Sequence, residues 1–411
     1  MIVPMPGSPL RYYLFAIPTI DGVANECKPP TVWQASLFCS VIDMDADNGD
    51  GAVVEPATQL QENVTYKMAA VPHANGRDYW LVAHAYNSNA FLVYPVTASG
   101  IGEARQHFVG ARHEPAVING DFVSDWDRRG VIKASPNGKK LAVTIQQPFN
   151  QITRPFELFD FDPSTGTVSN PVVLSELSWQ AGVSFSTDNT KLYVQADKLN
   201  SGENRNQQHS TVFQYDLTAS SAEAVSASAV SIIVENPRLN DSPNTFASNF
   251  MLQLAPDGKI YAPFPTNPPP SDPRFARFIV INQPNRKGID CNAQAVNFTF
   301  ANGSSYFGLP NFIESVFNGL APDTTGDCSQ PAVEIAPNPS ANRFRVRANA
   351  CFGSYRLTVH NLLGQLLMEK NTGSSLYEEI ALDAFADGVY FFVLQNSAGV
   401  RLAKKVVKKS T

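Results

Sequence analysis

The chain has 411 residues, with 31 Lys+Arg and 37 Asp+Glu, so its formal net charge is −6, and its length is enough for two or three domains. This charge gives no electrostatic reason to expect nucleic acid or an anionic membrane as a partner, and no apolar run is long enough to be a transmembrane segment. Residues 333–411 carry +4, which leaves −10 for residues 1–332. The change predicts a domain boundary near residue 330.

Tight hairpins recur along the first 300 residues. Alternating apolar residues flank a polar turn pair in the stretches Tyr66–Ala83, Val131–Ile145, Val183–Ala196 and Met251–Phe264. In Val131–Ile145 the pair is Asn137-Gly138, which suits the two positive-φ positions of a type I′ turn. A β-unit that recurs at this spacing indicates a repeat architecture.

Each hairpin is followed by a second strand pair. Third strands with alternating aromatic and aliphatic residues begin Phe91–Gly100, Phe156–Gly166, Val212–Ser221 and Phe278–Gly288. Weaker fourth strands are Asn170–Leu174, Val230–Val234 and Ala295–Phe300. Four antiparallel strands in tandem are typical of β-propeller blades, whose ring buries the sheet faces. We predict an all-β propeller over residues 1–318 with five blades, the first within Ile2–Leu60, and an incomplete sixth.

The incomplete unit is Gly308–Ser315, which has the pattern of a lone first strand. No strands follow to complete it. The N-terminus has no basic start, apolar core or cleavage site of a signal peptide. We expect that the chain lacks its true N-terminal strands and its signal peptide. The alternative is an open five-blade ring with unpaired edges.

The five cysteines have no metal-binding spacing. Cys27 and Cys39 flank one connection between two predicted strands, and Cys328 and Cys351 flank the change in composition near residue 330. In an exported protein each pair predicts a disulfide, with buried free thiols as the alternative. Cys291 is left over.

The last part of the chain is predicted as a separate domain. Residues 319–332 are small, polar and turn-rich, which is typical of a linker. Residues 333–411 contain seven short alternating strands, which predict a small immunoglobulin-like β-sandwich.

Short motifs follow one another through this C-terminal unit. They are Pro337-Asn338-Pro339-Ser340, Asn361-Leu362-Leu363-Gly364-Gln365, Asp387-Gly388-Val389-Tyr390 and Lys404-Lys405-Val406-Val407-Lys408. In order, spacing and terminal position they resemble the type A C-terminal sorting domain of the type IX secretion system. The resemblance implies secretion, or display on the outer-membrane surface of a Gram-negative bacterium, with the secretion machinery and its sortase as partners. Physical chemistry alone explains the lysines as protection of an edge strand.

The propeller region resembles those of secreted bacterial proteins of unknown function. The shared pieces are Ala134–Gly138, Gln253–Tyr261 and Gly308–Ile313. The repeats are also similar to lactonase-type and WD-repeat-like propellers. This similarity concerns the fold and does not indicate a function.

Alternating carboxylates form the one candidate metal site. Asp43, Asp45, Asp47 and Asp50 lie in a nine-residue stretch, and such a pattern can converge on Ca²⁺. Asn48 stands where an EF-hand loop has its glycine, and Val54 stands at the twelfth position. An acidic turn between two strands is the alternative. We expect no other cofactor, and no nucleophile elbow, P-loop or dinucleotide motif is present.

Loop lengths indicate a binding face. The first-to-second-strand turns are short, whereas the long connections lie between second and third strands and between blades, at the opposite face of a propeller. Candidate ligand-binding residues on those connections combine aromatic and charged side chains: Asp125, Trp126, Asp127, Arg128, Arg129, Trp179 and Tyr306. They suit a sugar or a peptide side chain.

Three functions remain open from the sequence. The first is a non-enzymatic secreted or surface propeller that binds an extracellular protein or glycan. The second is a lactonase-like hydrolase acting in the central channel, with or without a divalent cation. The third is a structural part in adhesion or motility.

Overall fold

A computed structural model of the chain describes residues 1–18, 35–118, 121–124, 126–146, 153–198, 209–235, 251–264, 275–299, 308–309, 311–318, 333–348, 352, 355–372, 377–396 and 399–410. These residues belong to two compact units, Met1–Pro322 and Asp323–Thr411.

Five antiparallel sheets of at least four strands follow one another in the described part of the first unit, and in each the strand order follows the chain, except that the fifth strand of the second sheet pairs with the third. Blade 1 contains β1 (Ile2–Pro4), β2 (Arg11–Ala16), β3 (Leu37–Asp43) and β4 (Ala52–Gln61). Blade 2 contains β5 (Val64–Pro72), β6 (Tyr79–Ala85), β7 (Ser88–Thr97), β8 (Gly100–Ile101) and β9 (Arg105–His113), and β10 (Ala116–Ile118) and β11 (Asp121–Ser124) form a separate hairpin after it.

The other three blades have four strands each. Blade 3 contains β12 (Ile132–Ala134), β13 (Lys140–Val143), β14 (Arg154–Asp162) and β15 (Thr167–Leu177). Blade 4 contains β16 (Val183–Phe185), β17 (Lys191–Lys198), β18 (His209–Asp216) and β19 (Val230–Glu235). Blade 5 contains β20 (Gln253–Leu254), β21 (Ile260–Phe264), β22 (Phe275–Ile281) and β23 (Ala293–Thr299). Helical segments are short: α1 (Ala222–Ala227) and 3₁₀ turns at Asp47–Gly49, Trp126–Arg128, Gly288–Cys291 and Glu314–Phe317.

Apolar side chains join each blade to the next. Because neighbouring residues of a strand point to opposite faces, Leu141 and Val143 pack toward blade 2 whereas Ala142 packs toward blade 4. Tyr193 likewise packs toward blade 5, and Leu192 toward blade 3. Four such clusters connect blades 1 to 2, 2 to 3, 3 to 4 and 4 to 5. The predicted propeller of four-stranded blades is confirmed.

The hairpin turns differ from the prediction of type I′ geometry. Asn137 does not have a positive φ; only the residue after it, Gly138, does, with φ 71°. Instead the Asn137 side chain accepts a hydrogen bond from the Lys139 backbone N at 3.0 Å. The other three turns repeat this plan, with Asn75, Asp188 and Asp257 as the capping residues. The side-chain cap favours a longer turn with one left-handed residue.

The lone strand predicted at Gly308–Ser315 is wrong. Among the described residues of this stretch, 308–309 and 311–315, none is in a strand, and a 3₁₀ turn begins at Glu314. Its apolar residues are explained by contacts with the blades: Ile313 packs against the cluster between blades 1 and 2, and Phe317 against that between blades 4 and 5.

The C-terminal unit is a two-sheet sandwich, as predicted. Its strands are β24 (Val333–Ala336), β25 (Arg343–Ala348), β26 (Tyr355–His360), β27 (Leu366–Thr372), β28 (Tyr377–Ala381), β29 (Gly388–Asn396) and β30 (Arg401–Lys408). The sheets have the orders β24-β25-β28 and β27-β26-β29-β30. Their inner faces enclose one apolar core, in which Phe344 of one sheet and Phe392 of the other have ring centroids 5.6 Å apart.

The predicted disulfide between Cys27 and Cys39 is wrong, because Cys39 is a free thiol. Its side chain belongs to the apolar cluster between blades 1 and 2, and burial raises the pKa of this thiol to about 12. Cys291 is a buried free thiol as well. Cys27, Cys328 and Cys351 lie outside the described residues.

Candidate functional site

The two ends of the propeller blades differ in what they carry. One end has the tight turns that contain Gly76, Gly138, Asn189 and Gly258, and we call it the turn face. At the opposite end, which we call the loop face, the chain enters β12 from Trp126–Gly130 and enters β16 from Ser178–Gly182. The described ligand-binding candidates all lie on the loop face.

A 3₁₀ turn at Trp126–Arg128 brings aromatic and cationic side chains together. The Arg129 guanidinium lies over the Trp126 ring, with Cζ 4.0 Å from the ring centroid. Trp126 also meets the Trp179 ring edge to face, with centroids 6.3 Å apart. Trp126 is half-buried, Arg129 is exposed and Trp179 is buried. Trp126 and Arg129, predicted from one stretch, and Trp179, predicted from another, thus form one surface, the Trp126–Arg129 surface.

Asp127 and Arg128 point into the protein. The Asp127 carboxylate is buried and pairs with Arg154 Nε at 2.6 Å. Arg128 Nη1 donates to the Val64 backbone O at 3.1 Å, and its guanidinium lies 3.4 Å from the centroid of the Tyr86 ring. These contacts hold the turn against β5, so both residues position Trp126 and Arg129.

A buried titratable cluster lies beneath this turn. Lys67 Nζ donates to the Asp127 backbone O at 2.7 Å and lies 3.1 Å from Nδ1 of His113. The His113 ring stacks on that of His84, with centroids 3.7 Å apart. Burial lowers the pKa of Lys67 well below its usual value, lowers that of His84 to about 3 and holds that of His113 well below 6.5.

This cluster predicts acid sensitivity. Both histidines titrate lower in the folded than in the unfolded chain, so their contribution to stability is complete above about pH 6.5 and is lost as the pH falls below it, for His84 until about pH 3. From pH 6.5 to 5 we expect His84 to lower the free energy of unfolding by roughly 2 kcal/mol, and His113 to act in the same direction. Urea unfolding at the two pH values measures the loss. His84→Phe should remove the part that His84 contributes, and an unchanged pH dependence in this variant would contradict the assignment.

Lys67, His84, His113 and Arg154 were not predicted from the sequence. The available signal was a lysine inside an otherwise apolar first strand, at Tyr66-Lys67-Met68 and again at Ile132-Lys133-Ala134. A charge in such a strand indicates a buried partner, because an unpaired buried charge is costly.

Two sets of predicted site residues remain. Asp125 and Tyr306 lie outside the described residues. The aspartates proposed for calcium lie in the turn between β3 and β4, where Asp43 pairs with Arg11 at 2.8 Å and accepts from the Asp45 backbone N. Within the described part of the chain, no three His, Cys, Asp or Glu side chains are grouped to hold a metal ion.

A buried ion pair occupies the centre of the ring. Lys133 on β12 pairs with Glu314 at 2.9 Å, and the two side chains are 5% and 3% exposed. Gln253 on β20 bridges them, because it accepts from Lys133 at 2.8 Å and donates to Glu314 at 3.0 Å. Asn311 accepts from Lys133 and donates to the Met68 backbone O on β5. Residues 311–318 thus contact the first strands of blades 2, 3 and 5 and lie between them.

The motifs of the C-terminal sandwich hold its last strand. Asn338, between Pro337 and Pro339, donates to the Lys405 backbone O at 2.9 Å and accepts from the Val407 backbone N at 2.8 Å. Ser340 continues this pairing beside β30. The Pro-Asn-Pro-Ser motif therefore borders β30, the edge strand that carries the terminal lysines.

Other motif residues fix turns around the same strands. Gly364 has φ 77° in the turn between β26 and β27, where Asn361 caps two backbone N–H groups. Gly388 begins β29, and the Tyr390 hydroxyl two residues later donates to the Ala386 backbone O at 2.5 Å.

The terminal lysines divide into two groups. Lys404 and Lys405 are exposed on β30. Lys408 is buried instead, and its Nζ donates to the backbone O of Leu382 and of Phe385. The suggestion that Lys408 protects an edge strand is therefore wrong.

Residues 334–409 match the family described as the secretion system C-terminal sorting domain. The C-terminal sandwich is a sorting domain. This confirms the resemblance inferred from its motifs, and the match spans β24 to β30 of the sorting domain. A comparison with proteins of curated function finds no match.

Solved structures similar to the chain include the following three proteins. One is a periplasmic gluconolactonase of Pseudomonas aeruginosa, with 13% identity, TM-score 0.37, and coverage of 91% of this chain and 86% of that chain. Hydrazine synthase of Kuenenia stuttgartiensis has 14% identity, TM-score 0.35 and coverage of 90% and 92%. A Lactobacillus plantarum protein has 10% identity, TM-score 0.35 and coverage of 91% and 99%. Similarities this weak carry no argument about function.

Among the described residues, no helix is long and apolar enough to cross a membrane.

Proposed function

We propose that the chain is a secreted or surface-displayed β-propeller, exported by the type IX secretion system through its sorting domain. The match of residues 334–409 carries this proposal. The partners would be the secretion machinery and its sortase, which would remove the sorting domain and leave the propeller at the outer-membrane surface or in the medium of a Gram-negative bacterium.

The propeller would act by binding an extracellular protein or glycan on its loop face. The supporting observation is the Trp126–Arg129 surface, where a half-buried indole and an exposed guanidinium are held by the Asp127–Arg154 pair. Aromatic rings beside fixed cations are typical of binding surfaces.

A hydrolase acting in the channel is the other candidate, and the geometry favours it less. Lys133 and Glu314, the charged side chains described there, neutralise each other and are almost completely buried. A substrate at this level would have to displace residues 311–318. A screen of ester and lactone turnover on the purified chain tests this candidate, and turnover that persists in Glu314→Gln would place catalysis elsewhere.

The export proposal predicts that deletion of Val333–Thr411 traps the propeller in the periplasm. Both forms are expressed behind the same cleavable signal peptide in a host with type IX secretion, and immunoblots of medium, surface and periplasm measure the distribution. The deletion variant must also unfold cooperatively when purified from the periplasm, which distinguishes loss of the sorting signal from misfolding. Normal secretion of the deletion variant would overturn the proposal.

A further inference from the structure

We propose that the Trp126–Arg129 surface binds a short carboxylate-bearing oligosaccharide, of the uronic-acid type. This inference rests on the proposed function of the loop face as a binding face, and it names the chemical class of the ligand.

The first argument is an uncompensated cation. Arg129 is exposed and its guanidinium lies over the Trp126 ring, and in the described part of the chain no carboxylate lies within ion-pair distance of this guanidinium. Stacking keeps the donors at the guanidinium edge available and reduces the entropy lost when they bind. A guanidinium edge matches a carboxylate, with which it forms two parallel hydrogen bonds.

The second argument is a further guanidinium at the turn. Arg154 is 23% exposed and bonds to the Asp127 carboxylate through Nε. Among the described residues its two Nη nitrogens have no hydrogen-bond partner, so they remain available as donors close to the turn that carries Arg129.

The third argument favours a sugar over an acidic peptide. Trp126 is half-buried and meets the buried Trp179 ring edge to face, and the exposed part of an indole suits the apolar C–H face of a sugar ring. Trp179 has φ 49°, a conformation that costs a bulky residue about 1 kcal/mol or more. The fold therefore holds the Trp179 ring in place at a conformational cost, and this ring supports Trp126.

The fourth argument concerns ligand size. Residues 1–332 carry −10 overall, so a long polyanion is repelled by the rest of the propeller, whereas one carboxylate at a local cationic spot is not. A short uronic-acid chain, or the end of a longer one, meets both conditions.

Calorimetric titration of the full chain with trigalacturonate tests the proposal, with its methyl ester as the matched uncharged ligand. We expect binding of the acid, at least about tenfold weaker binding of the ester, and a similar loss in Arg129→Met. Arg77→Met, which removes an exposed arginine at the turn face, should bind like the unmodified chain.

Each of the other outcomes overturns one part of the proposal. Equal affinity for acid and ester would reject the anionic class but retain the loop face as a binding face. Equal binding of triglutamate would reject the sugar. If trigalacturonate does not bind at all, the inference fails, whereas the export proposal is decided separately by the sorting-domain deletion.

Discussion

Replacing Glu314 with alanine should lower the free energy of unfolding of the propeller by about 3–5 kcal/mol, because removal of one partner of a buried ion pair leaves the other charge uncompensated. Lys133 would still donate hydrogen bonds to Gln253 and Asn311 but would lose its carboxylate partner. Chemical unfolding of the full chain, followed by tryptophan fluorescence, measures the loss, since all four tryptophans precede residue 180.

A double substitution provides the control. In Lys133→Gln/Glu314→Gln neither charge remains and polar groups still meet in the channel, so we expect much of the stability to return. Two losses that simply add in the double variant would show that the ion pair does not couple β12 to residues 311–318.

Replacing Gly130 with alanine should be still more disruptive. Gly130 has φ 113°, and a Cβ there would lie 2.2 Å from the Thr144 backbone O and 2.9 Å from Lys67 Cε. The backbone cannot withdraw without displacing the strand pairing of β12 with β13. We expect a loss of more than about 3 kcal/mol, or failure to fold, measured by thermal and urea unfolding.

The matched control is Gly76→Ala. Gly76 also has a positive φ, 73°, but a Cβ there meets nothing within 4 Å. That variant should lose only about 1 kcal/mol, the cost of the left-handed conformation. Equal losses in the two variants would contradict the steric explanation. A folded Gly130 variant should also bind trigalacturonate less well, because Gly130 directly follows Arg129.

The sequence by itself determined the repeat, the strand types and the C-terminal domain. Alternation of apolar residues is a local property, and it specifies which face of a strand is buried whatever the neighbouring element is. The sorting motifs were equally recognisable, because their order, spacing and terminal position can be read from the sequence alone.

Turn geometry could be predicted only in part from the sequence. Asn137-Gly138 marked the turn correctly, but the turn type was decided by the hydrogen bond that the Lys139 backbone N donates to the Asn137 side chain. The preference of the Asn-Gly dipeptide for a turn type does not take this hydrogen bond into account. The local signal for it is an Asn or Asp at the turn, whose side chain can accept from the backbone N–H two residues later.

Only the tertiary structure decided the partners of residues far apart in the chain. Lys133 meets Glu314 across the ring, and Lys67 reaches the turn that begins at Trp126. Likewise Cys39 points into an interblade core, so its position in the sequence gave no guide to disulfide pairing. Such contacts depend on how the blades are arranged around their axis. Periodicity within a strand carries no information about that arrangement, so the sequence indicated which faces are buried, and the fold determined what each buried charge and thiol meets.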